Sequence, residues 1–311
     1  MLQTAMQRMG LSSINSGVLA LVTTLLIWSS YFVALRSGAQ SSLTSFDMAL
    51  LRFLLPALVL LPVLYRSRRN IFKAKKRYLI GISVGAGLPF YLLSVIASGH
   101  VKAVVGSLLV PGVAPVFVTL MAIVFYKEKL SKRRVVGLSI VLVGISILVS
   151  ANLDSGAENS YLGAVFYILA ASCWAVYTIS IKVAKLSGLE LAAVLNTVAA
   201  IGLLLSLPFG FFETNLAATP WVQIVPQLII MGIFCGLISV VTYGHAINEL
   251  GAELSVCWGA LTPVLVSVLA FIILKETVEI ETIIAMLIIT TGVVCANFKF
   301  RKKSIKKRRG E

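Results

Sequence analysis

The chain has 311 residues, 59% of them hydrophobic and 13% charged, with a mean hydropathy of +0.97. This composition excludes an ordinary soluble globular protein and points to an integral membrane protein. The formal charge of +15 does not indicate nucleic acid, because the bases cluster in runs beside apolar segments, as in loops facing anionic lipid headgroups.

Residues 1–15 carry Arg8 as their one charge and show no small-residue cleavage site behind a short apolar core. They read as a cytoplasmic tail rather than a signal peptide. From Ser16 onward, apolar spans of about 20 residues, enough to cross a ~30 Å hydrocarbon layer, recur to the end. Ten are predicted, at 16–35, 46–65, 78–97, 103–126, 134–151, 160–182, 190–209, 224–246, 252–274 and 281–298.

The first span holds Trp28-Ser-Ser-Tyr31 and the sixth Trp174-Ala-Val-Tyr177. Each Trp lies some 20 Å into its helix at 1.5 Å per residue, away from the headgroup belt where membrane Trp usually sits. Each Tyr follows at i+3, on the same face. An aromatic contact within the protein core explains this pattern; a substrate cavity lined by these four with Tyr91 and Tyr243 explains it equally well. Such a wall offers apolar surface, hydrogen-bond donors and a face for a cationic amine.

The second span contains Ala49-Leu-Leu-Arg52-Phe53. Arg52 lies roughly 9 Å from the outer end, where a charge is costly and points to function. The bland alternative is that its long side chain snorkels to the interface or meets Asp47. The third span carries Gly81-x-x-x-Gly85 and the eighth Gly232-x-x-x-Gly236, spacings that let helix backbones approach closely in lipid.

Pro89, Pro111, Pro115 and Pro263 fall inside spans. Tolerated kinks are common in membrane helices, but interrupted helices at matching places in two halves point to a transport site, and Pro115 and Pro263 match. Glu128 and Glu276 follow at the ends of the same helices. A carboxylate there is disfavoured by the helix dipole, so each is expected to cap the next helix or pair with a nearby base rather than to couple protons.

Cys173, Cys235, Cys257 and Cys295 all lie in apolar spans without Cys-x-x-Cys spacing and predict neither a disulfide nor a metal site. His100 sits near an outer loop and His245 near a cytoplasmic helix end, which gives pH sensing little support. Gly81-Ile-Ser83-Val-Gly85 formally matches the hydrolase Gly-x-Ser-x-Gly, but inside a membrane helix rather than at a strand-turn-helix elbow. No His-Glu-x-x-His and no phosphate loop occur, so an enzyme, a cofactor and direct ATP drive are all unexpected.

With the N-terminus inside, the predicted cytoplasmic segments hold Arg8, the run Arg66–Arg77, Lys127–Arg134, Lys182 with Lys185, and the tail from Lys299 to Arg309. The outer segments hold Arg36, Lys102 and Lys275. The positive-inside rule then puts both termini in the cytoplasm.

A shift of 148 positions lays Pro115-Val-Phe-Val over Pro263-Val-Leu-Val, Ala122 over Ala270, Lys127-Glu128 over Lys275-Glu276 and Gly144 over Gly292, without a gap. Five crossings separate the copies, so the second enters upside down. The expected fold is all-α: ten transmembrane helices as two inverted five-helix repeats, 16–151 and 160–298, followed by a basic tail, 299–311.

Two five-helix copies, each with a proline in the fourth helix and a Glu at its end before a Gly-bearing fifth helix, resemble the EamA family of the drug/metabolite transporter superfamily. Trp-x-x-Tyr in the first helix and Ala-Leu-Leu-Arg-Phe in the second add to the resemblance. It implies a secondary transporter of small metabolites, often an exporter of amino acids or related compounds, with a central cavity between halves that rock in alternating access. The second copy does not repeat Arg52; it has Leu195 and Asn196 there. Low polarity inside the spans favours a zwitterionic or partly apolar substrate at the inner membrane, with broad export of amphiphilic toxic compounds as the alternative. Proton coupling stays open.

Overall fold

Matching capping boxes start the second helix of each repeat. Thr44 Oγ1 accepts from the Asp47 N–H at 3.1 Å while the Asp47 carboxylate accepts from the Thr44 N–H at 3.0 Å. Ser187 and Glu190 repeat the arrangement at 3.3 and 2.8 Å. Each box satisfies two donors that a helix start leaves orphaned, and a good cap is worth ~1 kcal/mol.

The computed structural model describes residues 2–127, 130–153, 160–209, 213–250, 258–259 and 261–297. In chain order these form α1 (Leu2–Ala39), α2 (Ser45–Lys73), α3 (Lys76–Gly85), α4 (Leu88–His100), α5 (Ala103–Tyr126), α6 (Lys132–Leu153), α7 (Ser160–Ala184) and α8 (Gly188–Ser206). Then come α9 (Trp221–Gln227), a π-helical segment (Leu228–Ile238), α10 (Ser239–Leu250), α11 (Thr262–Leu274) and α12 (Ile280–Asn297). Eight stretches among the described residues are long and apolar enough to cross a membrane, and α11 and α12 are two shorter apolar helices. The protein is an all-α, multi-pass membrane protein of two repeats.

The third and eighth spans depart from simple rods, and the fourth departs from the interruption expected of it. The third is two helices, because the chain turns at Gly85-Ala86-Gly87 before Pro89 opens α4, and a β-carbon at Gly87 would strike the Ser83 carbonyl oxygen. The fourth, expected to be interrupted by proline, is one continuous helix through Pro111 and Pro115; membrane helices absorb the freed carbonyls through their surroundings. Pro263, its partner in the repeat, instead stands in the first turn of α11, where its missing N–H costs nothing. The eighth span widens into the π-helix directly after Pro226. Two helices also run past the expected membrane limits, α1 back through the predicted tail to Leu2 and α2 on through the basic run to Lys73.

The repeated Lys-Glu pair marks where the fourth and ninth spans stop. Lys127 and Lys275 both take left-handed backbone, φ 49° and 57°, and close their helices onto the carbonyls of Ala122 and Ala270. The chain thus turns after matching residues in the two copies.

Glycine sets the closest helix contacts. A methyl group at Gly85 would lie 2.5 Å from the Tyr177 nitrogen, and one at Gly232 would lie 2.7 Å from the Leu51 carbonyl oxygen, so α3 packs on α7 and the π-helix on α2. In lipid this close packing supplies much of the association that water would otherwise drive. α6 and α12 pack chiefly on each other. There Gly144 abuts Ile289 and Gly292 abuts Val141, with a β-carbon on either glycine reaching backbone nitrogen at 3.0 and 2.8 Å. The remaining helices bury a core that includes Phe46, Phe53, Tyr91 and Tyr167, and leave large side chains such as Leu58, Leu61, Phe125 and Phe271 facing outward.

Candidate functional site

At the centre of this arrangement, α2 of one repeat meets α8 of the other. Arg52 stands eight residues after the Thr44 cap and Asn196 nine after the Ser187 cap, each about 12–14 Å from its own helix start at 1.5 Å per residue. The two helices begin at opposite ends, so the residues meet near mid-depth. Arg52 Nη1 donates to Asn196 Oδ1 at 3.4 Å, and the guanidinium lies 5.1 Å from the Phe53 ring centroid. Asn196 Nδ2 donates to Ala192 O at 2.8 Å, which leaves its carbonyl oxygen turned to the arginine.

Arg52 does not meet Asp47. That carboxylate is fully buried and taken up by the Thr44 cap, the Thr214 hydroxyl at 2.5 Å and the Asn215 N–H at 2.9 Å. Gly236 of the π-helix lies against the Arg52 guanidinium.

The aromatic residues converge from both repeats. Trp28 packs on Tyr243 with ring centroids 4.8 Å apart, and Trp174 packs on Tyr177 at 5.1 Å and on Phe90 at 5.3 Å. Trp28, Tyr31, Arg52, Trp174, Tyr177 and Tyr243 each keep part of their surface accessible. Tyr91 does not: it is 1% exposed, its hydroxyl donates to Met48 O at 3.2 Å and its edge meets Phe53.

Among the described residues, neither Pro115 nor Pro263 makes a hydrogen bond or ring contact with this cluster; their role in the fold is the one given above. Two outward hollows of about 450 and 500 Å³, along Val136 and Val143 and along Val268 and Ile272, are apolar and lie on the lipid side.

Glu276 sits at one end of the bundle and joins the repeats. Its Oε1 accepts from Arg36 Nε at 2.8 Å and its Oε2 from the Ala103 N–H at 3.1 Å, so it caps the first turn of α5. The helix capped is not the next in sequence but one from the other repeat. Arg36 also donates to Ser98 O and Gly99 O. Beside it, Lys102 bonds Glu279 and the Thr277 carbonyl. Partial burial pushes the Glu279 carboxyl up, but the hydrogen bond and charge of Lys102 and a hydrogen bond from Glu279's own backbone together outweigh this and hold it below the usual carboxylate range. Glu128, the repeat counterpart of Glu276, lies outside the described residues.

Ser83, the serine of the hydrolase-like motif, bonds back to Leu79 O within its own helix and stands at no strand-helix elbow. Asn196, Phe90 and the capping role of Asp47 escaped the sequence reading. Thr44-x-x-Asp47 is itself a capping signature, and a lone amide in an apolar span was the signal for Asn196.

Comparison with known proteins adds the family. The model of the EamA-like transporter family matches residues 15–150 and again 161–298. A protein of Streptantibioticus cattleyicolor described as a probable terminal-alkyne amino-acid exporter is 28% identical over 85% of this chain and 87% of its own length. An uncharacterized transporter of Clostridium kluyveri is 26% identical over 93% and 95%, and the transporter YetK of Bacillus subtilis 22% over 78% and 75%. A solved crystal structure covers 90% of this chain and 97% of its own with a TM-score of 0.59 at 17% identity, which speaks to the fold alone. With the family pattern present in both halves, the chain belongs to the EamA-like transporter family and is a transporter of small molecules, not an enzyme.

Proposed function

We propose that this transporter exports an amino acid or a related zwitterionic, partly apolar compound across the inner membrane by alternating access. The observation that carries the reading is a pair across the repeats, Trp28 on Tyr243, and a second pair, Trp174 on Tyr177, in the same bundle as a mid-depth guanidinium that bonds across the repeats to Asn196. Indole and phenol faces suit an ammonium group and an apolar side chain, and a guanidinium suits a carboxylate. Trp28, Tyr31, Arg52, Trp174, Tyr177 and Tyr243 bind the substrate, with Tyr91 supporting Arg52 from behind. The relative from Streptantibioticus cattleyicolor, described as an amino-acid exporter, supports the substrate class and the direction.

In this reading both termini are cytoplasmic, and the basic segments Arg66–Arg77 and Lys127–Arg134 and the tail contact anionic headgroups. Repeats 16–151 and 160–298 rock against each other around the Arg52 level, so the Arg36–Glu276 end must part for release. Glu276 serves the fold and not proton coupling, because both its oxygens are occupied by a cap and an ion pair.

The test compares metabolites inside and outside cells with and without the chain, followed by counterflow in liposomes with leucine and with propargylglycine, a terminal-alkyne amino acid. Accumulation of an amino acid outside and its exchange across the liposome are expected. Exchange of bulky amphiphiles in place of amino acids would instead establish the broad-export alternative, which the aromatic wall by itself also serves.

A further inference from the structure

We infer that Arg52 is a carboxylate receptor held ready by Asn196, so that a free carboxylate is the feature every good substrate must have; this rests on the reading of the central cluster as the substrate site. Among the described residues no carboxylate lies within ion-pair distance of Arg52: the two ion pairs found, Arg36–Glu276 and Lys102–Glu279, are both at one end of the bundle. Its polar contact with another side chain among the described residues is the one long hydrogen bond to Asn196, and Phe53 and Gly236 stand beside its guanidinium. A guanidinium cannot shed its charge, and it offers five N–H donors in a planar fork. At mid-depth in a membrane protein such a charge is expensive until an anion meets it.

Asn196 fixes the receptor without neutralising it. Its amide nitrogen is committed to Ala192 O, so an oxygen and not a donor faces Arg52 and takes one N–H, leaving the rest of the fork open. An aspartate would have neutralised the arginine. The single charge suits a monoanion: a carboxylate takes two parallel N–H bonds from the fork, whereas a phosphate dianion would call for a second cation that no described residue near Arg52 supplies. The amino group and side chain of the substrate then fall to Trp28, Tyr243, Trp174 and Tyr177.

Asn196→Asp tests this in the full-length protein, since it keeps size and shape while adding the missing countercharge. The carboxylate cannot donate to Ala192 O, so without ligand the reference is Asn196→Leu, which loses the same bond: Asn196→Asp is expected to melt higher than Asn196→Leu, because Arg52 gains a partner, and an equal or lower melting temperature would mean the arginine is already compensated and overturns the proposal. In counterflow, the parent is expected to exchange leucine and propargylglycine roughly ten- to hundredfold better than their amides, the loss of a charge-assisted pair. Asn196→Asp and Arg52→Gln should abolish that preference. A parent that exchanges acids and amides alike, or an Asn196→Asp protein that still prefers the acids, overturns the receptor. A parent that exchanges no amino acid, in a protein that Asn196→Asp stabilises relative to Asn196→Leu, defeats the amino-acid reading while supporting an anion site at Arg52.

Discussion

Arg36 and Glu276 meet at 2.8 Å with side chains 17% and 11% exposed, the first at the end of α1 and the second just after α11, so one ion pair ties together the two inverted copies. Removing the carboxylate charge leaves a largely buried guanidinium short of its partner. Glu276→Gln is expected to lower the stability of the folded protein by about 1–3 kcal/mol, read as melting temperature and folded yield in detergent. The pH dependence of transport per folded molecule should be unchanged. Loss of that dependence at normal yield would assign Glu276 to proton coupling instead.

Lys102 and Glu279 form the neighbouring, more open pair. Because the Glu279 carboxyl is held below its ordinary range chiefly by Lys102, its contribution is present at pH above the ordinary Glu value and is lost as pH falls through the depressed one. Glu279 is 46% exposed, so solvent limits the effect to within about 1 kcal/mol. Melting curves between neutral and acid pH should show a small acid-labile contribution that vanishes in Lys102→Ala and in Glu279→Gln. An equal drop in the parent and both variants would deny the pair any part in it.

Trp28 and Trp174 hold matched places against Tyr243 and Tyr177. Changing either to Phe keeps most of the apolar volume, removes the indole N–H and weakens a cation–aromatic contact. Apparent substrate affinity should fall by roughly 1–2 kcal/mol, about five- to thirtyfold, while thermal stability moves little. If both variants melt several degrees lower and transport with unchanged affinity, the tryptophans are packing residues.

Gly292 tolerates no side chain, since a β-carbon there would sit 2.8 Å from the Gly137 carbonyl oxygen and from the Val141 nitrogen. Gly292→Leu should part α6 from α12 and cost about 1–3 kcal/mol or more, seen as lower yield of folded protein. Leu287→Ala, on the exposed side of the same helix, is the control and should change little.

Reporter fusions give the orientation. A fusion after Arg77 should report cytoplasm and one near Asn215 the outside, as the distribution of bases requires. The reverse pattern would turn the whole molecule over and with it the direction assigned to each end.

Spans, their number and the repeat were legible because each rests on local sequence: apolar length, or an identical residue one repeat away. Trp174 and Tyr177 were legible as neighbours for the same reason, being three apart on one helix. What escaped involves residues far apart in the chain. Glu276 reads as a helix-end carboxylate beside the next helix, yet the N–H it caps belongs to Ala103, and no local pattern links the two. Trp28 finds Tyr243, and Arg52 finds Asn196, only once the copies interlock. Asp47 is a different case. Its role was written three residues earlier in Thr44, but a carboxylate near an arginine suggested an ion pair that the helix start had already claimed. The π-helix has no evident sequence signature beyond Pro226.

The contact between α6 and α12 carries a last consequence. Gly144 and Gly292 are 148 residues apart, and so are Val141 and Ile289; hence the meeting of Gly144 with Ile289 and that of Gly292 with Val141 are one contact made twice. A patch that binds its own image across a two-fold axis is the property of a homodimer interface. Each copy here presents to the other the same patch that it receives, so a change on one side of the seam has its counterpart 148 residues away on the other.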